Sequence, residues 1–374
     1  MQEFDTAAPE HPEHPDRPEL REAVEAFVDA GFAGIQVRVH DERGEWAGSA
    51  GVRALGESAE VPTDGHFWAG SVAKPFTATV VLQLVAEERT GLDLPVADHL
   101  PELGLDRRIT VRMLLRHTSG LFNYTGEYYE DGTVVAGIPA TGKEWFDNRL
   151  RTYDPRELVA LALSKPARFE PGSGFGYSNT NYTLAALLIE RITGRSYAED
   201  VHDRILRPLG LRDTVLGGSG STLPEPYAHG YHRYRDAEEW QVDDVSRQNP
   251  SMLFGAGDAR TTTRDLHAFF SALNGGKLLP APLLAEMRTP YGELGYGLGL
   301  FVQDLGPDHG GIVYHHNGGA PGGYGALMYS TPDGAKTLTA GLTTGDAPTD
   351  PAQAFPRVLD ALVKKVFTPA RARA

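Results

Sequence analysis

The chain has 374 residues, 41% of them hydrophobic and 23% charged, which fits a soluble globular protein with ample length for a real core. A formal net charge of −15 repels nucleic-acid phosphate and anionic lipid, so neither a nucleic acid nor a membrane is expected as a partner. The absence of cysteine excludes disulfides, thiol catalysis and cysteine-ligated metal.

The acidic, Pro- and His-rich stretch Met1 to Arg17 lacks the basic start and apolar middle of a secretory signal. It reads as a disordered arm, with His11 and His14 in a solvated tail rather than on a metal. No apolar run approaches membrane-spanning length, so a cytoplasmic protein is expected, or a secreted one if a leader has been removed.

Glu19 to Ala30 places Leu20, Val24, Phe27 and Val28 on one helical face. Ala33 to Val39 alternates as a strand, Asp41 to Gly44 turns it, and Glu45 to Val52 returns as its hairpin partner. A helix follows from Lys74 to Val85, with Pro75 tolerated in its first turn. Thr110 to His117 is a short amphipathic helix. Residues 122–150 form a long irregular stretch carrying Tyr124, Tyr128, Tyr129, Trp145 and Phe146, and such stretches usually serve a function. Pro155 to Leu163, Thr180 to Thr193, Tyr197 to Leu206 and Thr263 to Leu273 read as helices, and 215–250 as loop. Strands are predicted over Gly295–Asp304, Gly311–His316, Tyr324–Ser330 and Lys336–Leu342, then a last helix over Ala352–Val366. The economical fold is α+β: one antiparallel sheet made from both chain ends and flanked by helices, with a helical lobe inserted between. The division expected is one catalytic domain over 18–374, its α/β lobe from about 18–70 and 290–370 and its helical lobe from about 71–289.

Three motifs carry chemistry. Ser71-Val72-Ala73-Lys74 stands at a strand-to-helix junction, and only Lys74 among seven lysines has a serine three residues before it. Residues three apart share a helix face, so a desolvated Lys74 amine can serve as the base that a serine nucleophile requires. Tyr177-Ser178-Asn179 follows a glycine-rich loop. The Tyr177 phenol can relay the serine proton, and the Asn179 amide can hold Lys74 and a substrate oxygen; the plain alternative is a turn. His315-His316-Asn317-Gly318-Gly319 ends a predicted strand. Its glycines allow close approach of a ligand, His316 can donate to Tyr177 or substrate, and the N–H groups of Gly319 and Ser71 can form an oxyanion hole; the alternative is a hairpin with surface histidines. No His/Asp/Glu set of ligand spacing accompanies it, so no metal is expected. His117-Thr118-Ser119-Gly120 reads better as a helix cap with a buried histidine than as a site.

In this order the motifs resemble those of the serine β-lactamase and penicillin-binding-protein family: Ser-x-x-Lys, then Tyr-x-Asn, then His-x-Gly. The resemblance runs from about residue 20 to about 345 and includes Leu114 to Leu121 and Gly295-Tyr296-Gly297-Leu298-Gly299-Leu300. It is nearest to the branch of class C β-lactamases, D-alanyl-D-alanine carboxypeptidases, D-amino-acid amidases and β-lactamase-like esterases. It implies a β-lactamase/DD-peptidase-like fold, Ser71 as the acylated nucleophile, Lys74 and Tyr177 as the proton-transfer pair, His316 in the third-motif position, and no cofactor. Substrate contacts are assigned to Asn179, Asn317, Gly318 and Gly319, and to Tyr128 and Tyr129 in the aromatic stretch, with Met252 and Phe254 as further lining.

The sequence also departs from the family's carboxypeptidases. Those hold a terminal carboxylate with an arginine after the Gly-Tyr-Gly-Leu-Gly strand and with threonines beside the third motif. Here the strand continues Phe301-Val302-Gln303, and the motif reads His316-Asn317-Gly318-Gly319. A buried carboxylate without a cationic partner costs several kcal/mol. The departure favours a small-molecule acyl donor with no free carboxylate, an ester or amide, and water or an amine as acceptor. A hydrolase or transacylase of specialised metabolism is therefore expected ahead of a D-alanyl-D-alanine carboxypeptidase or D-aminopeptidase, and ahead of a non-catalytic binder of cell-wall fragments. Another arginine, such as Arg260 or Arg264, could reach in from elsewhere.

Overall fold

A computed structural model describes residues 17–129 and 132–369. In chain order the elements that build the site are helix α1 (Pro18–Asp29), strands β1 (Phe32–Asp41) and β2 (Gly44–Gly51), and helices α2 (Ala73–Ala86), α3 (Val111–Arg116), α4 (Asn179–Thr193) and α5 (Thr263–Asn274). Strands β3 (Phe301–Asp304), β4 (Ile312–Ala320), β5 (Tyr324–Ser330) and β6 (Thr337–Thr344) and helix α6 (Phe355–Phe367) complete them. The two chain ends make one six-stranded sheet of order β2-β1-β6-β5-β4-β3, and every neighbouring pair is antiparallel. This is the α+β architecture that the order of elements predicts.

Strand β1 shows why the sheet is covered on both faces. Its alternate residues Ile35, Val37 and Val39 bury against Leu20, Val24 and Phe27 of α1 and Val358 and Leu362 of α6. The intervening Gln36 and Arg38 are buried too, so their polar atoms must be satisfied locally. Gln36 exchanges two hydrogen bonds with the backbone of Gly65, and Arg38 pairs with Glu45 and Asp64. The larger core lies on that side of the sheet, around α2. This helix is buried almost all round, Lys74, Thr77 and Thr79 included.

Several expectations need correction. Arg17 is not part of a loose arm: it is buried and its guanidinium pairs with Asp41 at 2.8 Å. Residues 1–16, with His11 and His14, lie outside the described residues. The stretch 215–250 holds a hairpin, Tyr231–Asp236 with Glu239–Asp244, whose alternation is masked by charged residues on its exposed face. Residues 295–300 are not strand, because Gly295 and Gly299 adopt left-handed backbone that breaks the pleat, and β3 begins only at Phe301. Conversely β4 continues through Gly319 to Ala320, so the third motif lies inside a strand rather than in a turn after it.

Candidate active site

Ser71 sits in a single 3₁₀ turn, Gly70–Val72, which runs directly into α2. Both turn and helix bring positions three apart onto one side, so the Lys74 side chain returns to the serine. Lys74 is 0% exposed. Its Nζ lies 3.0 Å from Ser71 Oγ, 2.9 Å from Asn179 Oδ1 and 2.7 Å from the Ala256 carbonyl oxygen. Burial pushes its pKa well below that of a free lysine, with the Asp258 carboxylate opposing the shift. A neutral amine fits this set of partners. Its two N–H groups donate to the two carbonyl-type acceptors, and its lone pair is left to accept the Ser71 hydroxyl proton.

Tyr177 covers this pair. The Lys74 ammonium position is 4.7 Å from the Tyr177 ring centroid. The phenol pKa is raised by burial, while its hydrogen bond with Ser71 works in the opposite direction. The phenol is thus protonated at neutral pH and able to give its proton up only as part of a relay.

The loop carrying Tyr177 to Asn179 is set by the turn after α3. His117, in left-handed backbone at the α3 C-cap, is fully buried. Its Nδ1 accepts from the Ser178 N–H at 3.2 Å and lies 3.1 Å from Asn181 Nδ2. Ser119 Oγ donates to Asn181 Oδ1 at 2.6 Å. The ring lies 4.3 Å from that of Tyr177, with a tilted geometry. The structural reading of His117 agrees with this geometry. Asn179 is held from the other side as well: its N–H donates to Asn123 Oδ1 at 3.1 Å, and the Asn123 N–H donates to buried Glu127 at 3.0 Å.

Strand β4 passes across the nucleophile turn at very short range. A Cβ at Gly318 would stand 1.9 Å from the Ala69 carbonyl oxygen, and one at Gly70, whose φ is +55°, would stand 2.3 Å from the Gly319 oxygen. Only glycine permits this approach. It puts the backbone of Gly319 beside that of Ser71, where two N–H groups can serve one oxyanion.

His316 is 1% exposed and faces the site from β4. Burial, reinforced by the nearby Lys74, pushes its pKa well below the usual range. The neutral ring has its Nδ1–H donating to the Asn317 carbonyl at 2.7 Å, which leaves Nε2 to accept from Tyr296 at 3.3 Å. Both nitrogens are therefore occupied within the protein, and His316 does not offer the N–H that the sequence reading gave it. Tyr296 is the buried phenol that sequence reasoning missed. It was visible only as the aromatic of Gly295-Tyr296-Gly297, and no local signal ties it to His316.

The remaining assignments separate. Asn317 points to the opposite face of the sheet, as alternation along a strand requires, and its Nδ2 donates to Tyr329 Oη at 3.0 Å. Tyr128 is 77% exposed, and Tyr129 packs under Arg168, with the guanidinium 5.6 Å from its ring. Neither contact leads to Ser71. A narrow crevice beside the nucleophile turn is lined instead by Trp68, Trp145, Met252, Gly257, Ala320 and Pro321. Met252 lines this crevice, whereas Phe254 packs edge-on against Tyr197 in the core. A roomier cavity of about 370 Å³ lies on the other side of Trp145, between Ile138 and Leu161, and none of Ser71, Lys74 or Tyr177 lines it. Arg260 donates to the Thr222 carbonyl and Arg264 pairs with Asp64.

A family model described as β-lactamase matches residues 20–363. The chain belongs to the β-lactamase family. Penicillin-binding protein 4* of Bacillus subtilis (strain 168) is 29% identical over 305 residues, 78% of this chain and 63% of that protein. Esterase EstB of Burkholderia gladioli is 36% identical over 215 residues, covering 52% of this chain and 51% of the esterase. The chain thus spans between half and two thirds of the length of these curated relatives. Among solved structures, a D-stereospecific amidohydrolase from Streptomyces sp. superimposes with a TM-score of 0.80 at 37% identity, over 93% of this chain and 98% of that one. The family membership and the fold expected from the motifs are both borne out. Among the described residues no helix is long and apolar enough to cross a membrane.

Proposed function

We propose that this protein is a serine acyl-enzyme hydrolase or transacylase for esters and amides without a free C-terminal carboxylate, with D-aminoacyl donors the first to test. The observation that carries the reading is the Lys74 amine, buried, bonded to two pure acceptors and turned with its third position to Ser71 Oγ. In this reading Ser71 Oγ attacks the donor carbonyl carbon while its proton passes to Lys74. The oxyanion is held by the N–H groups of Ser71 and Gly319. Tyr177 delivers a proton to the departing alcohol or amine, and the same pair then deprotonates water or an acceptor amine. Asn179 fixes Lys74 and the donor's amide. His316 and Tyr296 act by packing beneath Tyr177, and no proton step is routed through them.

Two arguments support the donor class. Two arginines considered for that role, Arg260 and Arg264, are engaged with Thr222 and Asp64, and Phe301 at the start of β3 stacks on His315 at 5.1 Å. The choice of D-configured donors for the first test is supported by the likeness to the Streptomyces amidohydrolase. The test is one product assay by mass spectrometry with Ser71→Ala as control. D-phenylalanine methyl ester, D-phenylalanine amide and a D-Ala-D-Ala peptide are offered side by side, with and without a primary amine. Turnover of ester and amide, and a new amide when amine is present, is expected. Fast release of D-alanine from the peptide would make the protein a carboxypeptidase, and turnover of nothing by a folded protein would favour a non-catalytic binder.

A further inference from the structure

Asp258 is a buried carboxylate to which the acyl-transfer steps above give no task. It is 2% exposed. Its Oδ2 accepts from the Gly217 N–H at 2.9 Å and the Gly255 N–H at 3.1 Å, while Oδ1 is buried with no hydrogen-bond partner. Charged groups in such places are costly and call for an explanation. The segment it belongs to runs beside the residues that lead into the Ser71 turn: the Ala69 N–H donates to the Ala259 carbonyl at 2.9 Å, and Phe67 pairs with Thr261. Two residues before Asp258, the Ala256 carbonyl accepts the shortest of the Lys74 hydrogen bonds. The Gly255 N–H fastened by Asp258 begins that same turn, and the Gly255 carbonyl is fastened in turn by Thr77 Oγ1 of α2 at 2.7 Å.

We propose that Asp258 is the positioning residue for Lys74: it fastens the turn that presents the Ala256 carbonyl and supplies the buried negative charge opposite the lysine. The inference rests on the reading of Lys74 as the base. When the Ser71 proton moves to Lys74, the O–H bond breaks, a serine–carbonyl bond forms, and an ammonium appears where water does not reach. Among the described residues the other titratable groups facing Lys74 are His117, His316, Tyr177 and Tyr182. Both histidines are held neutral by burial, and the two phenols are held protonated. Tyr124 and Tyr197, the phenols facing Asp258, are protonated as well. Asp258 is therefore the group able to offset the ammonium. Burial raises its own pKa to about 6, against the backbone N–H groups of Gly255 and Gly217 that favour the charged form, so the carboxylate is ionised at neutral pH.

The test is the pH dependence of kcat/KM for p-nitrophenyl acetate in the full chain and in Asp258→Asn and Asp258→Glu. Asparagine keeps an acceptor for Gly217 and Gly255 and removes the charge. Losing an opposite charge lowers the lysine pKa, so the acidic limb should move about one pH unit downward and the plateau fall about tenfold. Asp258→Glu should restore the limb. A fall in rate with an unmoved limb would reduce Asp258 to a fold element and overturn the proposal. Should both variants fail to fold, the lysine ¹³Cε titration of the unaltered protein decides: one strongly perturbed lysine with a second inflection near pH 6 is expected, and a single step overturns it. If Lys74→Met turns over normally, the base reading itself has failed, a result distinct from any outcome at Asp258.

Discussion

Replacing Lys74 by methionine separates what the lysine does for catalysis from what it does for the fold. The methionine side chain is one atom shorter and unbranched like lysine, so it fills most of the same buried space. Two acceptors lose their donor, Asn179 Oδ1 and the Ala256 carbonyl. Each buried orphan costs about 1–3 kcal/mol, so about 2–6 kcal/mol is lost. Against that stands the removal of an amine whose burial is itself unfavourable, and replacing a buried ionisable group by a well-packed apolar one is often neutral or stabilising by about 1–4 kcal/mol. The two contributions largely cancel, and the thermal midpoint should move by only a few degrees. Loss of a positioned general base costs about 10²–10⁴-fold in rate, or about 3–5 kcal/mol of activation free energy. The assay is hydrolysis of an activated ester at pH 7–8 beside a thermal melt. Collapse of kcat with the melt nearly unchanged is expected. A kcat within tenfold of the parent would refute the reasoning, because the amine would then not be the acceptor of the serine proton.

Three further outcomes test the geometry around this centre. Asn317→Ala should cost about 1 kcal/mol of stability through the lost Tyr329 bond and leave kcat/KM within a few-fold, since its amide lies on the far face of the sheet; a hundredfold loss would restore it to the site. Gly318→Ala, one position along, should abolish phosphonylation of Ser71 by a fluorophosphonate probe, in which a Ser71 O–P bond forms as fluoride leaves, because its Cβ would collide with the Ala69 carbonyl; normal labelling would show that β4 can withdraw without harm. His315 is held neutral by burial, its pKa lowered to about 4, and is sandwiched between Phe301 and Tyr329. The unfolded chain takes up this proton below about pH 6.5 and the folded chain only near 4, so stability is lost as pH falls across that window. His315→Phe keeps the stack and should flatten the decline of the melting temperature between pH 6.5 and 4.5; an unchanged slope would contradict this.

How much of this was legible in the sequence depends on the distance over which each feature is specified. Ser71 and Lys74 are three residues apart on one helical path, so their meeting follows from local geometry, and it survives even though the serine sits in a 3₁₀ turn rather than in the helix proper. The α1 helix and the β1–β2 hairpin were likewise readable from period and turn residues. The third motif was readable as a motif but not as a shape. Its glycines look like a turn because glycine marks turns, yet Gly318 is glycine because another backbone crosses it. Once those residues are strand, alternation decides that His316 faces the lysine and Asn317 does not, which no count of motif letters could say. The partners of Lys74 show the limit most clearly. Asn179 came with a recognised motif. The Ala256 carbonyl carries no side-chain signature at all, and Asp258 stands 184 positions from Lys74 in a stretch to which the sequence assigns no element. Long-range partners of this kind are set by the packing of α2 against the 255–261 segment, a contact between elements distant in the chain. The same packing explains why the site tolerates a buried amine: one acceptor is the Asn179 amide at the start of α4 and the other the carbonyl of a turn fastened by Asp258 and Thr77, so the desolvation cost of Lys74 is met in the folded scaffold before any substrate arrives.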